Sequence, residues 1–532
     1  MYNAAVPNNL LCRKLCSARK KYAHSWFLLT DRDTNLEMNT PTANDIARRV
    51  VDACTQGSSG QIYVIGSFGH FLNFSAQQFR ALNLAWALEY LGAIPPSHPI
   101  AVIGGGLTGI TVATALVRLG YSIDLYEAQN ELMAHQLATD HRLVHPSINR
   151  WPKAPLTPAT MFPFLNWVSG PCSKVVSGLL HEVEELQRSA PDRFSISRGR
   201  KITDIDRGLN GYLLGISGKT INKPYGSVII AVGVGEERAN DKFEVTSYWY
   251  PDGVEHATFV GSTHYFLVSG CGDGGLIDAL RIVHRDFEKG GLIFRTADAL
   301  DGSELARRIA SVETGQRISP LLEQVYVAAA QEIASDPQYK EIHNELARSA
   351  SPARPLVRLS ARHGENAFVG RAAPIHKLMV AHAMLLNRIA YNRSEIDVVG
   401  KNIVVAEKAF PLGKTTRVII RHGPVGAPLT GLVSDAQVSD LREKQQAIEE
   451  LLTNAAWKGD YPSRSQESDQ QRIERLYRQA VRAIRLIQPL ATVSISNSGY
   501  DVVLPADTSE RKIPREIFGI PVRIQREPQK LP

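Results

Sequence analysis

The chain has 532 residues, 44% of them hydrophobic and 21% charged, with a formal charge of +7. This length supports two or three domains with sizeable cores, and this composition excludes wholesale disorder. The basic residues are spread along the chain rather than gathered in a tract, which argues for a solvated surface and against a nucleic-acid groove.

Residues 1–37 contain Arg13, Lys14, Arg19, Lys20 and Lys21, with no acid before Asp31. They lack the sustained apolar stretch of a targeting peptide and read as an extension ahead of Met38. Cys12 and Cys16 lack two further ligands nearby, so they make a poor zinc site. The five cysteines have irregular spacing, which argues against a disulfide framework and for a reducing cytoplasm. No apolar run reaches the length of a membrane span.

Gln61–Ser67 reads as a strand. Phe74–Leu91 reads as a helix, with Phe79, Leu82, Trp86 and Tyr90 at helical spacing. Within it, Gln78, Arg80 and Asn83 either face water or point at a ligand, and Arg80 is a pocket candidate. Pro95-Pro96 then breaks the chain.

Pro99–Glu127 carries the strongest pattern: an apolar strand, the run Gly104-Gly105-Gly106, a helix from Leu107 to Leu119, and a second strand ending on Glu127. Gly104 permits the tight turn, Gly106 lets the backbone approach a pyrophosphate, and Gly109 lets the helix pack close to the strand. The helix N-terminus then holds phosphate, and Glu127 is placed to accept ribose hydroxyls. The pattern predicts a dinucleotide site.

A loop-rich stretch follows. His145-Pro146 and Trp151-Pro152 flank Arg150, making His145 and Arg150 the other pocket candidates. Ser173–Arg188 reads as an amphipathic helix. Strands are expected over 194–205, 212–216 and 227–232, the last running into Ala231-Val232-Gly233-Val234-Gly235.

This order resembles the flavoproteins with a glutathione-reductase-type FAD domain, over roughly residues 97–300. The resemblance implies FAD on the first fingerprint, with Gly233 close to the cofactor. Val232 stands where those proteins have Thr. The helix before the fingerprint and the HP…WP loop after it resemble a bacterial group of FAD-dependent oxidoreductases without assigned substrates.

Phe266–Ala279 runs a strand into Gly270-Cys271-Gly272-Asp273-Gly274-Gly275. It reads as a second GxGxxG nucleotide site, as a Gly-Asp motif closing the FAD domain through Gly272 and Asp273, or as a plain turn. On the first reading, Leu292–Thr296 is a strand whose Arg295 suits the 2′-phosphate of NADP. Disulfide reductases of the resembled group carry a cysteine pair after the first acidic strand. Only Cys172 lies in that region, so dithiol chemistry is not expected.

Helices are expected over 303–312, 320–334 and 375–391, with a polar loop at Arg362–Asn366. Strands are expected over 396–405 and 416–421. Gly423–Ser439 reads as a linker, and 441–457 and 471–487 as helices, followed by strands 500–504 and 520–524.

The expected fold is α/β: a Rossmann-type FAD/NAD(P)-binding fold with a helical cap insertion and a small C-terminal α+β module. The expected divisions are 1–60, an N-terminal extension, partly disordered; 61–300, the dinucleotide-binding domain; 301–422, the helical insertion with return strands; and 441–532, the C-terminal module. The expected function is FAD-dependent oxidation or reduction, with hydride passing between FAD and NAD(P)H or a small organic molecule such as an amine. Gly104, Gly105, Gly106, Gly109, Glu127, Gly233, Gly272 and Asp273 are expected at the cofactor, with no metal, nucleic acid or membrane. The alternative is a dinucleotide-binding sensor or scaffold whose C-terminal module binds a protein partner.

Overall fold

The computed structural model describes residues 41–526 except for stretches within that range, the longest being 255–264, 463–476 and 506–515. The loop 362–367 also lies outside the described residues. Helix α1 (Ala43–Cys54) opens on a capping box of Thr42 and Asp45. Strand β1 (Ile62–Val64) and helix α2 (Phe74–Tyr90) follow. Ile46, Ala47, Val50 and Cys54 of α1 pack in one core with Leu82 and Trp86 of α2. Part of the expected extension therefore belongs to the first α/β unit.

Strand β2 (Ile100–Ile103), helix α3 (Leu107–Arg118) and strand β3 (Ile123–Tyr126) form the central βαβ element. Both strands are buried at every position, which is why they read as nearly continuous apolar runs. Helix α4 (Cys172–Ser189) leads to β4 (Phe194–Ser197). An antiparallel meander, β5 (Asp204–Gly208), β6 (Gly211–Ile216) and β7 (Lys219–Thr220), returns the chain to β8 (Ser227–Ile230). The parallel sheet has the order β1-β8-β2-β3-β4, with Ile230, Ile103, Tyr126 and Ser197 in register across it.

The same itinerary then repeats. Strand β9 (Tyr265–Ser269) feeds helix α5 (Asp273–Val283). A block of helices follows: α6 (Gly291–Leu300), α7 (Glu304–Thr314), α8 (Leu321–Ser335) and α9 (Lys340–Ser349). The chain re-enters the sheet at β10 (Val357–Ser360), crosses through α10 (Pro374–Leu385), and adds β11 (Ile389–Asn392). A second antiparallel meander, β12 (Ile396–Val399), β13 (Asn402–Val405) and β14 (Lys408–Pro411), precedes β15 (Thr416–Ile420). The second parallel sheet has the order β15-β9-β10-β11, matching β8-β2-β3-β4 of the first.

Several expectations change. Leu292–Thr296 is not a strand: it lies within α6, where Arg295 pairs with Glu345. The helix expected to Tyr391 stops at Leu385, and its end is strand β11. The expected division at residue 300 falls inside the second unit, because β10, β11 and β15 pair in one sheet with β9. The expected helical cap corresponds to the helices inserted between β9 and β10.

Helix α11 (Asp435–Ala447) begins inside the expected linker, on a capping box of Ser434 and Gln437, and is followed by α12 (Glu449–Leu452). This segment returns to the first unit. Gln445 Nε2 donates to Val64 O at 2.7 Å, and the Tyr461 hydroxyl donates to Leu82 O at 2.9 Å. The C-terminal α+β module is a four-stranded sheet of β16 (Thr492–Ser496), β17 (Gly499–Leu504), β18 (Glu516–Ile517) and β19 (Ile520–Arg526), in the order β16-β17-β19-β18. Of the helix expected over 471–487, the described residues Tyr477, Ala480, Val481 and Ile484 pack with Tyr500 and Val502 of that sheet. Among the described residues no helix is long and apolar enough to cross a membrane.

Candidate functional site

The two parallel sheets each end in a glycine turn, and the two turns have the same geometry. Gly104 after β2 has φ +109°, and a Cβ there would lie 2.4 Å from Ala231 O. Gly270 after β9 has φ +120°, and a Cβ would lie 2.1 Å from Arg421 O. Both positions exclude a side chain twice over, by backbone conformation and by the neighbouring strand. A Cβ on Gly109 would meet Gly104 O at 1.8 Å, and one on Gly275 would meet Gly270 O at 1.9 Å, so each helix sits directly on its own turn. Gly106 and Gly272 are the N-caps of α3 and α5, with no side-chain cap and open space where a Cβ would stand. Gly270–Gly275 is therefore the opening turn of a second βα unit, not the close of the first.

The duplication extends to the last strand of each sheet. Ala231-Val232-Gly233 follows β8 and Arg421-His422-Gly423 follows β15, with Gly233 and Gly423 both at φ +76°. A cleft of about 1730 Å³ opens onto both turns and both of these strand ends.

At the tip of β3, Glu127 accepts hydrogen bonds from Gly105 N–H at 2.5 Å and Gln129 N–H at 2.7 Å. These bonds fix its carboxylate on the cleft wall. Asp273, the first residue of α5, turns its Oδ1 to α10. It accepts from Ala373 N–H at 2.9 Å and from His376 Nδ1 at 2.7 Å.

A buried charge cluster joins the two units beneath the cleft. Asp278 of α5 bonds Arg142 of the first unit, accepts from Arg281 at 2.7 Å, and accepts from Arg421 at 2.7 Å. Arg281 also bonds Asp252 at 2.9 Å. Burial alone would raise the carboxyl of Asp278, yet Arg142, Arg421 and Arg281 hold it far below the usual carboxylate range. The Tyr248 ring lies 3.9 Å from the Arg142 guanidinium. Nearby, burial raises the carboxyl of Glu237 against the opposing pull of Arg421.

Of the three pocket candidates, only His145 lines the cleft. It is 5% exposed, and its Nδ1 accepts from Ser147 N–H at 3.1 Å. Burial, and then His376, push its pKa down to about 3. Arg80 instead forms a buried ion pair with Glu449 of the returning C-terminal segment. Arg150 bonds Asn454 Oδ1 at 3.1 Å and lies over the Phe79 ring. The other two polar candidates of α2 neither face water nor line the cleft: Gln78 holds Leu165 O and Trp167 Nε1, and Asn83 holds the carbonyl of Leu452. Arg80 and Arg150 thus hold the C-terminal segment on the first unit. Sequence reasoning missed Arg142, Arg281, His376 and Arg421. Superposing the two glycine motifs and reading forward to the next strand end finds Arg421.

Cys54, Cys172 and Cys271 are buried and form no disulfide. Burial pushes the Cys54 thiol up to about 12 and raises that of Cys172 as well, the opposite of a reactive thiol. Among the described residues no group of three or more His, Cys, Asp or Glu is arranged to hold a metal.

The family described as NAD(P)-binding Rossmann-like domain matches residues 102–147, the stretch from β2 through the loop after β3. No curated protein matches the chain. Similar solved structures include the bacillithiol disulfide reductase Bdr (YpdA) from Staphylococcus aureus, 11% identical over 61% of this chain and 76% of that one, with a TM-score of 0.33. The thioredoxin reductase of T. acidophilum is 10% identical over 68% and 98% of the two chains, with a TM-score of 0.28. The OTEMO complex with FAD and NADP (form 1) is 10% identical over 75% and 93%, with a TM-score of 0.33. The match at 102–147 agrees with the topology: the first unit is a Rossmann-type dinucleotide-binding fold.

Proposed function

We propose that the chain is an FAD-dependent oxidoreductase whose first unit holds FAD and whose second admits NAD(P)H, with a small organic molecule as the further redox partner. The pairing of two glycine turns of one geometry on one cleft carries this reading. The first turn fits FAD. Gly106 leaves open space where a Cβ would stand, and the uncapped N-terminus of α3 offers its N–H groups to a pyrophosphate. Glu127 stands where a ribose would be read, and Gly233 also lines the cleft. Ordinary small-molecule pockets hold about 300–1000 Å³. This cleft is larger, as two dinucleotides require.

The second turn favours NADPH over NADH. Ser360 pairs with Ser269 as Tyr126 pairs with Ile103, so Ala361 occupies the place of Glu127. An acid there would accept the 2′-hydroxyl of NAD and repel a 2′-phosphate, and this position has none. Arg295 plays no part there, since it pairs with Glu345 within the helical block.

FAD, when bound, supplies the two-electron chemistry. The chain binds, orients and excludes water. The Asp278 cluster ties the loop at Arg142 to α5 and β15, fixing both walls of the cleft. Glu237, raised by burial, holds a proton in the cleft more readily than an ordinary carboxyl. The buried cysteines suit a reducing cytoplasm.

The test is the absorbance spectrum of the purified protein with and without NADPH. A yellow protein bleached by NADPH and reoxidised by air is expected. A yellow protein inert to NADPH, NADH and a panel of amines would make it a binding protein without turnover, and a colourless one would overturn the FAD assignment.

A further inference from the structure

Three consecutive residues bridge the two glycine turns. Tyr248, Trp249 and Tyr250 lie on the segment that carries the chain from the first unit to the second, and all three line the cleft. Tyr248 stands at the second turn: a Cβ on Gly274 would lie 3.4 Å from its Cδ2. The other two stand on the side of the first turn. Trp249 O accepts from the Thr139 hydroxyl at 2.6 Å, and the Tyr250 ring lies 5.4 Å from that of His135, centroid to centroid. His135 lies in the short helix Ala134–Leu137, and Thr139 just after it. Met133, at the head of this helix, donates its N–H to Gly105 O at 3.1 Å and so docks it on the first turn.

Reacting atoms must come within about 3–3.5 Å for hydride to pass. Ligands seated on the two turns therefore bring their reactive rings together in the space that these three residues span. What the residues offer there is aromatic surface. Trp249 is half-buried, with its ring 5.0 Å from that of Tyr248 and 6.1 Å from that of Phe74. Tyr250 is 46% exposed. Charged side chains share the lining, but Arg142 and Arg281 are taken up by Asp278 and Asp252, and Asp273 by His376. Asp273 and Glu288 on the same lining weigh against an anionic ligand.

We propose that Tyr250 and Trp249 form a stacking subsite for an uncharged, planar aromatic electron acceptor of the quinone class. Such a molecule covers the exposed ring of Tyr250 and gains from offset or edge contacts with both side chains. The proposal rests on the oxidoreductase reading and names its organic redox partner. In the net reaction NADPH gives up a hydride, which carries two electrons and one proton. Solvent supplies the second proton, and the products are NADP+ and the hydroquinone.

The test is calorimetric titration of the purified full chain with 2,3-dimethyl-1,4-naphthoquinone and with 1-decalone, a saturated bicyclic ketone of similar size whose rings are puckered. The quinone is expected to bind about three- to tenfold tighter, the scale of aromatic contacts beyond simple area burial. Tyr250→Leu keeps an apolar side chain at an exposed position and should fold, and in it the preference should disappear. Tyr250→Phe should retain the preference. Equal affinity of the native chain for the two probes, binding of neither, or a preference unchanged in Tyr250→Leu overturns the subsite. The last result would place the quinone on another surface, the flavin ring included. Calorimetry does not require a flavin. A colourless protein that prefers the quinone overturns only the flavin reading, and a yellow protein that does not distinguish the probes overturns only the subsite.

Discussion

Asp273 Oδ1 lies 2.7 Å from His376 Nδ1, and the same oxygen accepts Ala373 N–H at 2.9 Å. An acid at the first position of a phosphate-binding helix would repel a pyrophosphate, but this one turns an oxygen to the start of α10. Asp273→Asn retains an acceptor for Ala373 and removes the charge. NADPH affinity is expected to stay within about twofold. Unfolding free energy is expected to fall by about 1–2 kcal/mol, below the full worth of charge-assisted bonds. Fluorescence titration and urea unfolding measure the two, and a tenfold loss of NADPH affinity would show that the carboxylate works at the ligand instead.

The glycines separate fold from ligand. A Cβ at Gly106 or Gly272 meets nothing within 4 Å, so both Gly106→Ala and Gly272→Ala should fold, Gly272→Ala with the native melting temperature and Gly106→Ala with that of the native chain stripped of flavin. Gly106→Ala should purify without flavin. Gly272→Ala should stay yellow and need at least about tenfold more NADPH for half-maximal bleaching, the scale of losing well-placed phosphate contacts. Gly109→Ala and Gly275→Ala place a Cβ within 2 Å of a carbonyl oxygen, so both should lower the melting temperature as well. If Gly272→Ala is reduced as readily as the native chain, NADPH does not use the second turn.

These contrasts also explain what was legible in the sequence. The first unit could be read because β2 and β3 are buried on both faces and the glycines, helix and acid lie within thirty residues of one another. The second unit was harder because a block of helices separates β9 from β10. The short strand Val357–Ser360 alternates apolar and polar residues and shows no acidic tip. Arg295 misled because a short apolar run does not distinguish a strand from a helix turn. Arg80, Gln78 and Asn83 misled because their partners lie on chain far ahead: Glu449 and Leu452 for two of them, Leu165 and Trp167 for the third. Polar residues on a helix face appear functional until the segment that covers them is known.

Arg80 therefore belongs to stability rather than catalysis. Its pair with Glu449 is buried, with side chains 1% and 9% exposed. Arg80→Ala leaves Glu449 without its ion-pair partner and should cost about 3–5 kcal/mol of unfolding free energy. The double variant Arg80→Met, Glu449→Met should recover most of that, because two apolar side chains replace two desolvated charges. Flavin content per folded molecule should be unchanged in the double variant. A colourless, fully folded double variant would place Arg80 in the cofactor site after all.

Two histidines give the fold an acid limit. Burial, and then His376, depress His145 from 6.5 to about 3. Burial, and then His343, depress His382 from 6.5 to about 4. His343 Nδ1 lies 3.1 Å from His382 Nε2. Below about pH 6.5 the unfolded chain takes up protons at both sites while the folded chain does not. The unfolded state then binds more protons, so stability falls as pH falls, by up to about 1.4 kcal/mol per pH unit for each histidine. The loss continues until the folded values are reached, and above pH 7 neither group contributes. The depressed carboxylates Asp278 and Asp252 act lower, because their stabilisation is complete above about 3.8 and is lost only below it. A decline between pH 6.5 and 5 therefore reports the histidines, with an upper bound of about 4 kcal/mol for the pair. Urea unfolding at pH 7.5, 6.5, 5.5 and 5.0 should show a plateau followed by this decline, and His382→Gln should halve its slope. A flat profile down to pH 5 would show that both rings stay open to protons in the folded chain.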